Sequence, residues 1–161
     1  MRTGLTVAAV VLVLDQLTKW LILYWVMPDP PIVVTGFFNI VLVWNQGVSF
    51  GMLQDLGEHG LWVIGGFALA ISAVLLVWLY RETRPLTRFA LGLVLGGAIG
   101  NLIDRVRLGA VVDFLDFHAF GYHWPAFNVS DSAIVVGAAL LVIDGLRPDR
   151  KAAAGLRGQT S

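Results

Sequence analysis

The segment LWVIGGFALAISAVLLVWLY runs from Leu61 to Tyr80 without one charged side chain. A stretch of about 20 apolar residues is what an α-helix needs to cross the hydrocarbon core of a bilayer. In lipid its backbone groups must all be satisfied within the segment, which leaves a helix as the conformation it can adopt. Three more windows share this character, Gly4–Met27, Leu86–Arg105 and the shorter Asp131–Leu146. Composition agrees: 57% of the residues are hydrophobic, 14% are charged, and the mean hydropathy is +0.77. Four such windows in 161 residues leave room for one compact bundle and a modest extramembrane portion, Pro28–Gly60 and Leu108–Asn128. The expected architecture is an all-α membrane bundle of four transmembrane helices forming a single domain over residues 1–161.

Arg2 followed by apolar Val7–Leu14 mimics a secretory signal peptide, but no small-residue cleavage pattern follows and the apolar run resumes beyond Asp15 and Lys19. The segment is read as a retained span. Basic residues set the orientation, because cytoplasmic loops close to the spans are enriched in Lys and Arg. With four spans, Arg2, the turn with Arg81, Arg84 and Arg88, and the tail with Arg147, Arg150, Lys151 and Arg157 fall on one side, while Pro28–Gly60 has none. Both termini are expected in the cytoplasm, with Pro28–Gly60 and Arg105–Ser130 facing outward; Arg105 and Arg107 run against the bias. The net charge of +0 offers nothing to nucleic acid. The absence of cysteine removes disulfides, thiol catalysis and thiolate-bound metal.

The outward Pro28–Gly60 segment is more than a connector. Ile32–Thr35 and Phe37–Trp44 are rich in β-branched and aromatic residues and are punctuated by Gly36 and Asn45-Gln46-Gly47, a pattern of short strands at the interface. Apolar strands there want a partner, either lipid or an extended peptide adding to an edge; a ribbon resting on the bilayer is the plainer reading. Met52–Trp62 reads as a short amphipathic helical turn. In the third window Gly92, Gly96 and Gly100 recur every four residues, a packing face for close helix approach. Asn101, Asp104 and Arg105 follow at i, i+3, i+4 spacing on one side, where polar groups must satisfy one another or serve a site.

The carboxylates sort by position. Asp15 has Lys19 four residues on and reads as an internal pair. Asp144 sits near the cytoplasmic end beside Arg147, and Asp29, Asp55 and Glu58 read as solvated, so all four are poor catalytic candidates, while Asp104 has Asn101, Arg105 and Arg107 within reach. That leaves Asp113, Asp116 and Asp131 at the outer mouth. Asp131 alone is explained by the positive end of the fourth helix, with Ser130 or Asn128 as cap. If it meets Asp113 or Asp116, two carboxylates at low dielectric cannot both ionise easily, and such a pair can activate water and protonate a leaving group. Spacing does not decide between these. Gly47-Val48-Ser49-Phe50-Gly51 fits G-x-S-x-G, which means a nucleophile elbow only in an α/β-hydrolase sheet that this chain lacks room for. A serine protease would need His59, His118 or His123 as its base. The three histidines have no tight metal-ligand spacing, and His118 with His123 reads as a polar interfacial loop.

Taken together, Asp15-Gln16-Leu17-Thr18-Lys19, Asn45-Gln46-Gly47-Val48-Ser49-Phe50-Gly51, Gly100-Asn101-Leu102-Ile103-Asp104-Arg105, Val111-Val112-Asp113-Phe114 and Pro125-Ala126-Phe127-Asn128-Val129-Ser130-Asp131-Ser132 resemble, in order and over nearly the whole chain, bacterial lipoprotein signal peptidase, signal peptidase II. The resemblance implies an aspartyl protease of four transmembrane helices with an extracytoplasmic β-cradle and a short interfacial helix, in the bacterial cytoplasmic membrane with its site near the outer face. It implies Asp113 and Asp131 as the catalytic pair and leaves Asp116 without a catalytic match. It implies Asn101, Asp104, Arg105 and Asn128 as polar neighbours of the pair, and Asp15 and Asn45 as lining or bracing it. The implied substrate is a diacylglyceryl-prolipoprotein, cut just before its lipidated cysteine by a monomer in membrane lipid, with no metal or organic cofactor. A small transporter, whose proton path would use Asp15, Asp104 and Asp131, is the competing class. Against it stand the absence of internal repeats and the gathering of titratable groups on one face. A third class, an assembly factor, predicts that Asp→Asn changes at the mouth leave all activity intact.

Overall fold

The computed structural model describes residues 1–27, 30–47 and 58–146, with 58–62 as backbone only. Ser49 and its G-x-S-x-G segment beyond Gly47, the Met52–Gly57 part of the expected amphipathic turn, Asp29, Asp55 and the basic tail from Arg147 lie outside the described residues.

The first helix, α1, spans Arg2–Leu21 and continues as a π-helical turn over Ile22–Val26. That turn ends at Met27, whose left-handed φ of 37° lets its amide donate to the Ile22 carbonyl at 2.8 Å. Helix α2 (Glu58–Arg81) begins before the expected Leu61, so Glu58–Gly60 belongs to this long helix and not to a separate interfacial turn. A single glycine costs a helix only about 1 kcal/mol against alanine, so Gly60 punctuates less than it promised. Helix α3 (Pro85–Leu108) opens on Pro85, whose missing N–H is not needed there, and closes on Gly109, whose φ of 76° carries its amide back to the Arg105 carbonyl. Helix α4 covers Val129–Gly145. Arg2–Val26, Val63–Arg81 and Pro85–Leu108 are long and apolar enough to cross a membrane; α4, with 17 residues, is about 25 Å long at 1.5 Å per residue.

Helix α3 touches each of the other three helices. Its glycines make this possible: a Cβ on Gly92 would strike the Gly4 carbonyl, one on Gly96 would lie 2.6 Å from the Ala8 carbonyl oxygen, and one on Gly97 would strike the Ser130 carbonyl. The expected small-residue face therefore seats backbone directly on backbone against α1 through Gly92 and Gly96, and Gly97, outside the expected set, does the same against α4. Ala8, Leu79, Leu91 and Leu95 are buried around this junction. The outward surfaces of α2 and α4, with Phe67, Val74, Tyr80, Val135 and Val142 exposed, are the apolar faces expected against lipid.

Strands β1 (Ile32–Thr35), β2 (Phe38–Asn45), β3 (Val111–Ala119) and β4 (Tyr122–His123) form one antiparallel sheet in that order. The first two fall where the sequence placed them. The partner of β2 is neither lipid nor a foreign peptide, since its two edges are taken by β1 and β3. β3 escaped the sequence reading because VVDFLDF lacks the period-two alternation of a half-buried strand: Val111, Val112, Asp113, Phe114 and Asp116 are all buried. His118 and His123, expected in a loop, are cross-strand partners with rings stacked at 4.7 Å between centroids. Ile22, Val112 and Phe114 form a second apolar core that fastens the sheet beneath the π-helical turn.

Candidate active site

Five elements converge here: α1 brings Asp15, Gln16 and Lys19, α3 brings Asn101, Asp104 and Arg105, β2 and β3 bring Asn45 and Asp113, and the start of α4 brings Asn128, Ser130 and Asp131. At the centre is an ion cluster. Lys19 Nζ lies 2.9 Å from Asp15 Oδ2 and 2.8 Å from Asp104 Oδ2, and donates to Asn101 Oδ1 at 3.0 Å. All three charged side chains are almost entirely buried. Isolated charges at that depth would be prohibitively costly, and the cluster answers the cost by near-complete pairing. Gln16 Nε2 adds a donor to Asp104 Oδ1 at 2.9 Å, the Val112 amide donates to Asp104 Oδ2, and the Ser130 amide donates to Asp15 Oδ1 at 2.9 Å. The expected Asp15–Lys19 pair is thus present. The contacts of Asp104 come from α1 and β3 and not, as its helical spacing suggested, from Asn101, Arg105 or Arg107.

Beside this cluster stand the two mouth carboxylates. Asp131 is the third residue of α4, and it forms a capping box with Asn128: its amide donates to Asn128 Oδ1 at 2.9 Å and its Oδ2 accepts the Asn128 amide at 3.2 Å. Its other oxygen accepts Asn101 Nδ2 at 2.8 Å. Asp113, on β3, accepts Asn128 Nδ2 at 2.7 Å on one oxygen and Asn45 Nδ2 at 2.9 Å on the other. Asn128 therefore touches both carboxylates. Burial pushes the Asp113 carboxyl up; the Asn45 and Asn128 amides and the Lys19 charge pull it down, the Asp131 charge pushes it further up, and the balance places it at about 6. A carboxyl that keeps its proton so far above the ordinary range is fit for general-acid work.

Asp113 opens onto a cavity of about 450 Å³ lined also by Val43, Trp44, Asn45, Gln46, Pro125 and Ala126. Arg105 donates from Nη1 to the Asn101 carbonyl at 3.2 Å, and its positive charge is close enough to Asp131, Asp113 and Asp104 to be felt by all three. Asp116 is elsewhere. It is buried, accepts Asn39 Nδ2 at 2.9 Å, and lies 2.8 Å from His123 Nδ1. It lies three positions beyond Asp113, and on a strand an odd offset points to the opposite face. Asp144 is buried at the far end of the bundle, where it accepts the Thr87 hydroxyl and lies 3.9 Å from Arg84. Among the described residues no three His, Asp or Glu side chains are grouped to hold a metal ion.

Every residue expected at the site is brought to it: Asp15, Asn45, Asn101, Asp104, Arg105, Asn128, Asp113 and Asp131 belong to one contiguous network. Lys19 and Gln16 were not foreseen there. Their signal was faint, because i, i+4 spacing accounts for Lys19 on its own helix and says nothing of its reach to α3.

This arrangement is that of a membrane-embedded hydrolase with paired carboxylates, and comparison with known proteins agrees. Residues 7–147 match the family model described as signal peptidase (SPase) II. The lipoprotein signal peptidase of Cupriavidus necator is 50% identical over 145 residues, covering 89% of this chain and 83% of that protein. Its counterpart in Syntrophotalea carbinolica is 48% identical over 158 residues, covering 91% and 94%. A bacterial membrane enzyme solved by the in meso method superposes with a TM-score of 0.80 at 31% identity, covering 91% of this chain and 94% of that one. The chain belongs to the signal peptidase II family and is a multi-pass membrane peptidase.

Proposed function

We propose that this peptidase removes signal peptides from diacylglyceryl-modified prolipoproteins, cutting just before the lipidated cysteine, and that Asp113 and Asp131 are its catalytic pair. The observation that carries the assignment is Asn128, which donates to Asp113 and caps Asp131 and so joins the two carboxylates through one side chain beside the cavity onto which Asp113 opens. In this reading Asp113 enters the reaction protonated and Asp131 ionised, at the positive end of α4. Asp131 takes a proton from water as the water oxygen attacks the scissile carbonyl carbon. Asp113 gives its proton to the carbonyl oxygen, forming a neutral tetrahedral diol. The diol collapses as its hydroxyl proton returns to Asp113 and the proton on Asp131 passes to the leaving nitrogen, which frees the new amine. Arg105 and the amides of Asn45, Asn101 and Asn128 hold the pair, while the sheet offers the cavity wall along which an extended peptide lies.

The wider reading is a single domain of four transmembrane helices, α4 completing the bundle, with the sheet as an extracytoplasmic cradle. It places the enzyme as a monomer in the bacterial inner membrane with both termini cytoplasmic, so that the pair sits near the outer face, where the scissile bond of a lipid-anchored substrate is held. The charged groups of α1 and α3 form a closed, paired cluster, which supports a fixed site over a transport path.

Cleavage of a diacylglyceryl-modified prolipoprotein by purified protein in detergent tests this. Asp113→Asn and Asp131→Asn, each folded, are expected to lose at least about a thousandfold in kcat, while Asp116→Asn cleaves within about threefold of wild type. Full activity in either of the first two, with Ser49→Ala dead, would overturn the aspartyl assignment.

A further inference from the structure

The three asparagines at the pair share one feature: each has its side-chain oxygen occupied by a donor, which leaves only its NH2 group to face a carboxylate. Asn45 Oδ1 accepts the Gly47 amide at 2.8 Å, and Asn128 Oδ1 accepts the Asp131 amide at 2.9 Å. For Asn101 two side chains donate to the oxygen, and the shorter contact is Lys19 Nζ at 3.0 Å, with Asn128 Nδ2 at 3.2 Å. An ammonium has three donors and no acceptor, so it fixes the Asn101 amide in one sense, oxygen toward α1 and Nδ2 toward Asp131 Oδ1 at 2.8 Å. The other two donors of Lys19 are held by Asp15 and Asp104, which face each other across it from α1 and α3. Lys19 therefore has no freedom to leave Asn101.

We propose that Lys19 is a positioning residue of the peptidase reaction, which orients the Asn101 amide so that its NH2 group holds Asp131 as the proton acceptor. The inference rests on the aspartyl reading above. Without the ammonium, only the longer bond from Asn128 Nδ2, at 3.2 Å, holds the Asn101 oxygen, and the amide can turn that oxygen toward Asp131. Two acceptors would then oppose each other, the ionised carboxylate would lose a donor, and it would take up its proton at a higher pH. Asn128 would be affected less, since its oxygen is pinned by backbone. The groups that face the Lys19–Asn101 contact are Asp15, Gln16, Asp104, Asn128, Asp131 and Arg105, and Lys19 and Arg105 are the two cations among them.

Lys19→Met alone would leave two buried carboxylates unpaired, so the variant of choice is Lys19→Met with Asp104→Asn, in which one cation and one anion leave together. Asn101→Leu is the second, because it keeps all the ion pairs of Lys19. Prolipoprotein cleavage and thermal unfolding are measured across pH. In both variants kcat is expected to fall about 10- to 100-fold, with KM within about twofold, and the acid limb of the kcat profile is expected to move to higher pH. The triple variant should be no slower than Asn101→Leu, because both changes interrupt one relay. A wild-type kcat and pH profile in Asn101→Leu overturns the proposal whether or not the Lys19 variant folds, and so does a further multiplicative loss in the triple variant. Asp113→Asn and Asp131→Asn run alongside: if either cleaves normally it is the aspartyl pair itself that fails, and if both are dead while Asn101→Leu is unchanged only the Lys19 relay fails.

Discussion

Asp113 and Asp116 lie three residues apart on β3, both are buried, and their carboxyls are displaced in opposite directions. Burial pushes each of them up. At Asp116 the amide of Asn39 and the ring and charge of His123, with the charge of His118, outweigh it and hold the carboxyl below its ordinary range. At Asp113 burial is the larger effect, and with the added charge of Asp131 it outweighs the two asparagine amides and the Lys19 charge. What separates the two carboxyls on this strand is therefore how far burial is offset by the groups that face each of them. Asp116 has the His123 ring against it, whereas Asp113 faces a second carboxylate.

The contrast can be broken most sharply by exchange of activity for stability. Beyond the thousandfold loss of cleavage expected for Asp113→Asn, the same variant should unfold at higher temperature than wild type at pH 7.5. Asp113 has a raised carboxyl, so its contribution favours the fold below its unfolded value near 3.8 and turns into a cost as pH rises through about 6. Removing that charge should return about 1–2 kcal/mol at neutral pH and nothing below pH 4, read by thermal melts in detergent at both pH values. Asp116→Asn should do the reverse. Its lowered carboxyl stabilises the fold above the ordinary carboxylate range, so the variant should lose about 1–2 kcal/mol at pH 7, and the difference from wild type should shrink as acid protonates the wild-type side chain. A smaller effect is expected in the kinetics: kcat/KM, which reports the free enzyme, should decline on the alkaline side with a midpoint of about 6. The smallest belongs to His123→Gln, which should leave kcat within about twofold and cost less than about 1 kcal/mol, since Asn39 still donates to Asp116. A His123→Gln enzyme as inactive as Asp113→Asn would erase the distinction between the two faces of β3.

The helices were legible because hydrocarbon leaves the chain one option, and their windows were misjudged only at the ends, where Glu58–Gly60 and Arg107–Leu108 carry polar residues within a continuing hydrogen-bond ladder. Asp131 was legible as a cap because Asn128 stands three residues before it. Asp113 was harder. Its residue pattern allowed a meeting with Asp131 but did not reveal the strand, and without the strand nothing in VVDFLDF separates the reactive aspartate from the anchored one. The resemblance made that distinction, and the strand's alternation supplies its physical reason. Lys19 was legible as a partner for Asp15 and illegible as a neighbour of Asn101, because a contact between helices depends on how closely their backbones approach. That approach is set by glycines, and a glycine stripe announces proximity without saying which side chains it will join.

The pinned amides also bear on resistance to inhibitors. A peptide that offers a hydroxyl between Asp113 and Asp131 would engage groups whose orientation depends on partners in α1, α3, β2 and α4 at once. A substitution among them that weakens the inhibitor would also disarm the enzyme. The cavity wall is different: Val43, Trp44, Gln46, Pro125 and Ala126 contribute surface and no donor to the pair. Selection under such a compound is therefore expected to find its escape routes in that wall, where shape can drift while the chemistry stays in place.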